Sequence, residues 1–272
     1  MTHSYKLGVC TWLFGDLSLS DIARRVKALG FDGVELMGDL TRYRALEAAR
    51  ILRDEGLEVL SITPADVDLA HPDAQVRAAA VEYFLQLLDF CAEIGHPLVG
   101  CHGLVGRVRA VSTQAEERAM FLDAVCQIAE HARPVGLRLV MEVLNRYEAH
   151  LLNTAVEAVQ FVADAGVENV GILLDAYHMN IEEANPADAI RQAGKRLWLY
   201  HAADSNRQGI GRGHTDFLAQ ATALRDIGYE GPVIVECTAP GPDPFTPIKG
   251  DDSLSWLEIY LRESREWLSR AG

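Results

Sequence analysis

Four side chains able to bind a divalent cation lie at or near the ends of apolar, strand-like runs in the second half of the chain. They are Glu142 in LRLVMEV, Asp175 in GILLD, His201 in LWLYHA and Glu236 in PVIVEC. Three carboxylates and one imidazole suit a hard or borderline divalent cation. Four protein ligands also leave about two positions of an octahedral ion free for substrate oxygens. These residue types therefore predict a metal centre that can polarise a substrate.

A metal centre of this kind suits removal of a proton from the carbon next to a ketone. The resulting carbanion is unstable, and a divalent cation bound to the carbonyl oxygen and a neighbouring hydroxyl stabilises it as an enediolate. Inverting that carbon also needs a base on one face and an acid on the other. Two glutamates that flank the metal can perform both proton transfers.

These four residues can meet only if the strands that carry them lie side by side. Eight short apolar runs alternate along the chain with segments of helical periodicity. The near-continuous apolar content of the runs is typical of strands buried on both faces. The runs occupy residues 7–10, 33–37, 57–62, 97–102, 137–143, 171–175, 197–202 and 232–237. In a parallel barrel the carboxyl ends of the strands surround one pocket, so the four ligands would converge there.

The segments between the runs predict helices. Their apolar residues recur at intervals of three and four, and several segments end in glycine, at Gly30, Gly56, Gly95, Gly136 and Gly166. Ser20 and Asn153 are plausible helix N-caps, and a final helix is expected over 252–269. The pattern predicts an α/β fold, a (β/α)8 TIM barrel with a single domain over 1–272. A doubly wound open sheet is the alternative, but no glycine-rich phosphate loop follows the first run.

Composition limits the partners and the compartment. The 272 residues are 49% hydrophobic, with a formal net charge of −14 that repels phosphates and predicts no nucleic-acid partner. The five cysteines show no zinc or disulfide spacing, which favours a reducing compartment. The N-terminal residues lack a signal-peptide pattern, and no apolar run reaches the roughly 18 residues of a membrane span. We therefore expect a cytoplasmic protein with no membrane partner.

The chain resembles the xylose-isomerase-like sugar isomerases and epimerases, and within them the ketose 3-epimerases of the D-tagatose/D-psicose 3-epimerase type. The resemblance covers most of the chain and is carried by EVLNRYE (142–148), LLDAYHMNIEE (173–183), YHAADSNR (200–207) and VIVEC (233–237). It implies a sugar substrate whose C3 is inverted through a metal-stabilised cis-enediolate. One divalent metal ion would be bound, with Mn²⁺ favoured and Co²⁺ or Mg²⁺ as alternatives, in a homodimer or homotetramer.

The resemblance also implies roles for individual residues. Glu142, Asp175, His201 and Glu236 would ligate the metal, and Glu142 and Glu236 would also act as the acid–base pair. His178, Arg207 and Glu148 would bind substrate oxygens, and Glu182 and Glu183 would support the loop geometry. Trp12 and Phe14 follow the first strand and could form an apolar wall of the pocket. Glu35 and His102 sit at other strand ends and are expected to support the site without binding the metal.

Two loops depart from the family pattern and leave the substrate open. They are QGIGRGHTDF (208–217) and the proline-rich segment 238–252, which could form a rim or lid of the pocket or an ordinary surface loop. Arg212 and its neighbouring glycines could bind a phosphate or carboxylate.

Other functions therefore stay open. They are an aldose–ketose or inosose isomerase, a lyase or dehydratase acting on a 3-oxo sugar, and a non-catalytic sugar-binding protein. An endonuclease-like member of the same barrel superfamily would need more histidine and carboxylate ligands than the four above, and the acidic charge argues against it.

Overall fold

Eight parallel strands close into a barrel in the computed structural model of the chain, which describes residues 5–271. Each strand pairs with the next one in sequence, and the eighth pairs with the first. The strands are β1 (Leu7–Cys10), β2 (Gly33–Met37), β3 (Glu58–Thr63), β4 (Leu98–Cys101), β5 (Arg138–Glu142), β6 (Val170–Asp175), β7 (Leu197–Ala202) and β8 (Val233–Val235). The predicted TIM barrel is confirmed, and closure of the sheet rules out the doubly wound alternative. Residues 1–4 and 272 of the predicted domain lie outside the described residues.

Helices follow the strands and form the outer layer. They are α1 (Leu19–Ala28), α2 (Ala45–Asp54), α3 (Ala74–Ile94), α4 (Gln114–Ala132), α5 (Ala155–Ala165), α6 (Ala176–Glu182), α7 (Pro186–Ala193), α8 (Phe217–Asp226) and α9 (Ser253–Ala271). The strand bounds agree with the sequence prediction to within about two residues, and α9 begins one residue and ends two residues later than expected. None of the helices in residues 5–271 combines the length and apolarity needed to span a bilayer.

Both predicted N-caps are wrong: the first helix is capped two residues before Ser20, and the fifth is capped one residue after Asn153. Helix α1 is capped by Ser18, whose side chain accepts a hydrogen bond from the Asp21 amide, whereas Ser20 lies inside the helix. Helix α5 is capped by Thr154, which forms a capping box with Glu157, so Asn153 precedes the cap. Small polar residues cluster before both helices, and only the backbone geometry decides which of them is the cap.

Most strand residues are buried, and most of these are apolar, so they form the core of the barrel. Strands β1, β4, β6 and β8 are buried along their whole length, as a parallel sheet covered by helices requires. The predicted glycine stops are confirmed by backbones that other residues rarely adopt, as at Gly166, which ends α5 with a φ of 63°.

Two short elements connect the barrel directly to the pocket at its C-terminal end. A 3₁₀ helix over Thr11–Phe14 follows β1 at once, and α6 follows β6 at once. Because the 3₁₀ helix turns by about 120° per residue, its side chains face different directions. Trp12 is thereby presented to the pocket, while Phe14 is only 1% exposed in the core. The prediction that Phe14 forms part of the pocket wall is therefore wrong.

Candidate active site

Glu142, Asp175, His201 and Glu236 converge at the C-terminal end of the barrel. Glu142 and Asp175 end β5 and β6, His201 is the second-last residue of β7, and Glu236 directly follows β8. All four are buried, and one ligand atom from each lies within 4.8 Å of those of the others. Nδ1 of His201 is 3.7 Å from Oε1 of Glu142 and 3.4 Å from Oε2 of Glu236. The four residues thus form one compact cluster of potential ligand atoms.

Two buried polar atoms of this cluster make no hydrogen bond within the described chain. They are Oδ2 of Asp175 and Nδ1 of His201. An unsatisfied buried polar atom costs about 1–3 kcal/mol, so such atoms usually have a ligand. A cation between the four side chains would satisfy both atoms and offset the repulsion of three carboxylates. The donor set of oxygens and one imidazole nitrogen fits a divalent metal ion.

Glu35 holds the imidazole of His201 from the side opposite the cluster. Oε2 of Glu35 is 3.1 Å from Nε2 of His201 and accepts a hydrogen bond from Ser61 Oγ at 2.6 Å. Its other oxygen accepts from Thr63 Oγ1 at 2.7 Å and from Cys10 Sγ at 3.1 Å. A carboxylate that accepts from Nε2 leaves the lone pair of Nδ1 free to bind a metal. Glu35 therefore fixes the orientation of His201, a predicted metal ligand.

The electrostatics of the cluster reflect crowded negative charge. Burial raises the pKa of Glu142 well above its usual range; the charge of His201 opposes this effect, and repulsion from neighbouring carboxylates including Glu236 adds to it. Burial and the charge of Glu236 raise the pKa of Asp175 to about 7. Burial would lower the pKa of His201, but the charges of Glu35 and Glu236 raise it well above its usual range, so without a cation the imidazole is protonated. Burial would also raise the pKa of Glu236, but the charges of His201 and Arg207 outweigh it and hold that pKa low. A bound cation would take over the charge compensation that protons otherwise provide here.

Arg207 brings a fully buried positive charge to the edge of the cluster. Its Nη2 is 3.3 Å from Oε2 of Glu236, and its Nη1 is 3.5 Å from Oε1 of Glu148. Burial would lower the pKa of the guanidinium, but these carboxylates raise it, so Arg207 stays charged. Nε and Nη1 are buried and make no hydrogen bond to the described residues, and the side chain lines the cavity described below.

Aromatic rings and an unusual backbone fix the direction of the Arg207 side chain. The guanidinium carbon lies 4.9 Å from the ring centre of Tyr177, 5.5 Å from that of Phe245 and 5.9 Å from that of Trp12. The φ of Arg207 is 58°, in the left-handed region that costs a non-glycine residue about 1 kcal/mol or more. Strain of this size at a buried charged residue is typical of a functional position.

His178 and Glu148 meet through a residue that the sequence analysis did not single out. Nδ1 of His178 accepts a hydrogen bond from the Asn145 amide nitrogen at 3.2 Å, so its Nε2 carries the proton. That Nε2 lies 3.7 Å from Oδ2 of Asp175 and 3.9 Å from Oε2 of Glu148. The Asn145 side chain donates to Oε1 of Glu148 at 2.9 Å. The position of Asn145 between two site glutamates in EVLNRYE was the available signal.

A cavity of about 260 Å³ opens above the cluster. Its first wall comes from β5–β8 and the loops after them, and holds Glu142, Glu148, His178, Arg207 and Glu236. The second wall comes from β1–β4 and the residues that follow them, and includes Trp12, Met37, Thr63, Pro64, Asp66, His102 and Val105. Of the four predicted metal ligands, Glu142 and Glu236 line the cavity and Asp175 and His201 do not, whereas every predicted substrate-binding residue lines it.

Trp12 makes a polar contact that its predicted role as an apolar wall did not include. Its indole Nε1 donates a hydrogen bond to Oε1 of Glu236 at 3.0 Å. The two glutamates of MNIEE stabilise the surrounding loops, as expected. Glu182 binds the backbone and side chain of Arg146, and Glu183 accepts from the amide of Ala155 at the start of α5.

Of the two loops that depart from the family pattern, only the segment 238–252 contributes a residue to the cavity wall. Arg212 does not face the cavity, because its guanidinium forms a bidentate ion pair with Glu263 of α9. Nε lies 2.8 Å from Oε2 and Nη2 lies 2.6 Å from Oε1. The suggestion that Arg212 binds a substrate phosphate or carboxylate is therefore wrong. The segment 238–252 contributes Phe245, which lines the cavity and contacts Arg207, so it forms part of the rim.

In sequence and in structure the chain is similar to proteins described as sugar epimerases. The sequence profile described as the xylose isomerase-like TIM barrel matches residues 23–270. The D-psicose 3-epimerase of Agrobacterium fabrum is 37% identical over 222 residues, covering 78% of this chain and 76% of that protein. The 3-dehydro-D-guloside 4-epimerase of Escherichia coli is 28% identical over 260 residues, covering 93% of this chain and 98% of that protein. A crystal structure of D-psicose 3-epimerase with D-tagatose from Clostridium cellulolyticum H10 superposes with a TM-score of 0.87 at 27% identity, covering 97% of this chain and 98% of that chain.

Proposed function

This chain belongs to the xylose isomerase-like TIM barrel family, as its motifs predicted, and we propose that it is a metal-dependent ketose 3-epimerase acting on a free ketose. One observation carries the proposal. Glu142 and Glu236 approach the same buried cluster from β5 and from the end of β8, with His201 between them at 3.7 and 3.4 Å. Relatives described as D-psicose and L-ribulose 3-epimerases support a ketose substrate.

In this proposal Glu142, Asp175, His201 and Glu236 hold one divalent ion, most simply Mn²⁺, with Co²⁺ or Mg²⁺ as alternatives. When bound, the ion supplies Lewis-acid stabilisation of the negative charge that develops on the substrate oxygens. The free atoms Asp175 Oδ2 and His201 Nδ1 support this ligand set. Glu35 supports it further, because it fixes the imidazole with Nδ1 towards the other ligands.

The two glutamates carry the proton transfers. One carboxylate removes the proton from C3, and the other, in its protonated form, returns a proton to the opposite face. The reaction is reversible because each glutamate acts as base in one direction and as acid in the other. The hydrogen bond from Trp12 Nε1 and the charge of Arg207 orient Glu236 for this task. Arg207, His178 and Glu148 bind the hydroxyl and carbonyl oxygens beside the reacting carbon.

The cellular setting is part of the proposal. All five cysteines are free thiols and four of them are buried, which supports a reducing compartment such as the cytoplasm. A homodimer or homotetramer stays our expectation from the family resemblance.

The deciding experiment is proton NMR in D₂O of metal-loaded protein with fructose, psicose, tagatose, sorbose, ribulose and xylulose. We expect deuterium at C3 together with the C3 epimer of at least one ketose, and no reaction after the metal is removed with EDTA. Exchange at C1 or C2 with formation of an aldose would replace the proposal with an isomerase. Lack of exchange in every sugar would contradict it.

A second candidate is an epimerase acting on a 3-oxo sugar. The observation that favours it is the match to the E. coli 3-dehydro-D-guloside 4-epimerase, which extends over 98% of that protein. The same metal and glutamates would serve, since the acidic proton again lies next to a ketone. Adding a 3-oxo glycoside to the NMR panel separates the two, because exchange would then occur at C4. Loss of a leaving group from that compound would instead indicate a lyase or dehydratase.

A further inference from the structure

We propose that His102 is a substrate-recognition residue that accepts a hydrogen bond from a sugar hydroxyl remote from the reacting carbons. This inference rests on the proposed function and specifies the substrate class as a ketose with an intact hydroxyl at that distal position. His102 directly follows β4 and lies in the second wall of the cavity. Among the described residues, His102 belongs to no cluster that could hold a cation.

The hydrogen bonding of His102 defines what it can offer a ligand. Its Nδ1 is 2.9 Å from the carbonyl oxygen of Gly103, and a carbonyl can only accept, so Nδ1 carries a proton. Within residues 5–271 this is the one hydrogen bond that the imidazole makes. In the neutral ring, Nε2 then has a free lone pair.

The surroundings keep the ring neutral. Burial lowers the pKa of His102, and the negative charge of Asp66 opposes that effect only in part. His102 is only 6% exposed, so water does not readily replace a lost hydrogen-bond partner. An acceptor of this kind in a cavity wall selects for a hydroxyl group.

In this proposal the two walls of the cavity contact different parts of the substrate. The proposed metal ligands and proton-transfer groups all come from β5–β8 and their loops, so the reacting carbons lie against the first wall. The remaining carbons of a ketose must then extend towards the second wall. There the hydroxyl of Thr63 is already donated to Glu35, and Met37, Pro64 and Val105 are apolar. His102 and the exposed Asp66 are left to recognise the distal hydroxyls.

The test combines variants of His102 with deoxy substrates. For His102→Leu we expect KM for the preferred ketose to rise about tenfold, with a smaller change in kcat and no change in metal affinity. His102→Gln, which restores an acceptor oxygen, should recover part of the loss. The 4-, 5- and 6-deoxy ketoses locate the hydroxyl. One of them should lose about tenfold in kcat/KM with the wild type but not with His102→Leu.

The matched control is His131→Leu, which removes an exposed histidine of α4 and should leave every constant unchanged. An active His102→Leu protein with wild-type KM and wild-type discrimination among the deoxy ketoses would overturn the inference alone. If His102→Leu does not fold, the deoxy series in the wild type decides, and equal kcat/KM for the 4-, 5- and 6-deoxy ketoses and the parent ketose would overturn the inference. Wild-type protein that epimerises no ketose would overturn the proposed function and, with it, this inference.

Discussion

Oε2 of Glu35 lies 3.1 Å from Nε2 of His201, so a carboxylate of β2 orients a side chain of β7 across the interior of the barrel. Removing such a partner of a metal-binding histidine typically costs 10- to 100-fold in metal affinity. We therefore expect Glu35→Gln to weaken Mn²⁺ binding by roughly that factor, as measured by isothermal titration calorimetry. The control is Glu47→Gln, an exposed residue of α2. Equal affinities of Glu35→Gln and wild type would show that Glu35 does not position His201.

Replacing either proposed acid–base residue should abolish epimerisation. We expect Glu142→Gln and Glu236→Gln each to lower kcat by roughly 10²- to 10⁴-fold at saturating metal, because a general acid or base typically contributes that much. Metal affinity should fall less than turnover, since three ligands remain. Turnover is followed by NMR, with the exposed Glu168→Gln as the control. Near-full activity in either variant would refute the two-base assignment.

Arg207 and Arg212 should differ sharply when each is changed to alanine. Arg207→Ala removes a charged side chain that lines the cavity, and we expect kcat/KM to fall by about 10- to 100-fold while metal stays bound. Arg212→Ala removes a surface ion pair with Glu263 and a cation–π contact with Tyr260, so activity should be unchanged and stability should change little. Steady-state kinetics and a metal titration provide both readouts. Loss of metal in Arg207→Ala would place that residue in a structural role.

Glu117 should make the stability of the fold depend on pH. Burial alone would raise its pKa, but hydrogen bonds from Arg107, the Ser112 amide and His150 hold the pKa at about 2. Because an unfolded glutamate titrates near about 4.3, this stabilisation is complete above that pH and is lost as the pH falls towards 2. Glu117→Gln should therefore cost on the order of 2–3 kcal/mol at pH 7 and much less near pH 2.5.

Urea denaturation at the two pH values measures this difference. The exposed Glu130→Gln, on the same helix, is the control and should change stability little at either pH. A penalty for Glu117→Gln that is equally large at pH 7 and pH 2.5 would mean that packing, rather than charge, explains it.

Metal binding should stabilise the protein measurably. A ligand at 100 times its Kd adds about 2.7 kcal/mol, which for a protein of this size raises Tm by roughly 5–10 °C. We expect this shift with Mn²⁺ in differential scanning fluorimetry and its reversal by EDTA. Asp175→Asn should greatly reduce the shift, because it removes the charge of a buried carboxylate in the proposed ligand set. An unchanged Tm with Mn²⁺, Co²⁺ and Mg²⁺ would argue against the proposed ligand set.

Much of the architecture followed from local patterns in the sequence. Eight buried runs and the helical periods between them were enough to predict the barrel, and strand ends located the four clustered residues. Contacts between distant elements were not predictable in the same way. The ion pair of Arg212 with Glu263 depends on how α9 packs against the loop before α8, and the direction of Phe14 depends on a single 3₁₀ turn. The hydrogen bonds of Glu35 depend on side chains from three other strands and were likewise not readable from spacing.

Because the two walls of the cavity come from different halves of the chain, substrate preference and chemistry could change separately in evolution. The proposed metal ligands and proton donors all lie after residue 137, whereas the wall that would contact the distal part of a sugar lies before residue 106. Substitutions in the first half of the chain that retain Trp12 and Glu35, which contact Glu236 and His201, could therefore change which sugar is accepted while the chemistry stays the same. A chimera that joins residues 1–110 of a relative, with Trp12 and Glu35 retained, to this C-terminal half would be expected to keep its reaction and to accept a different sugar.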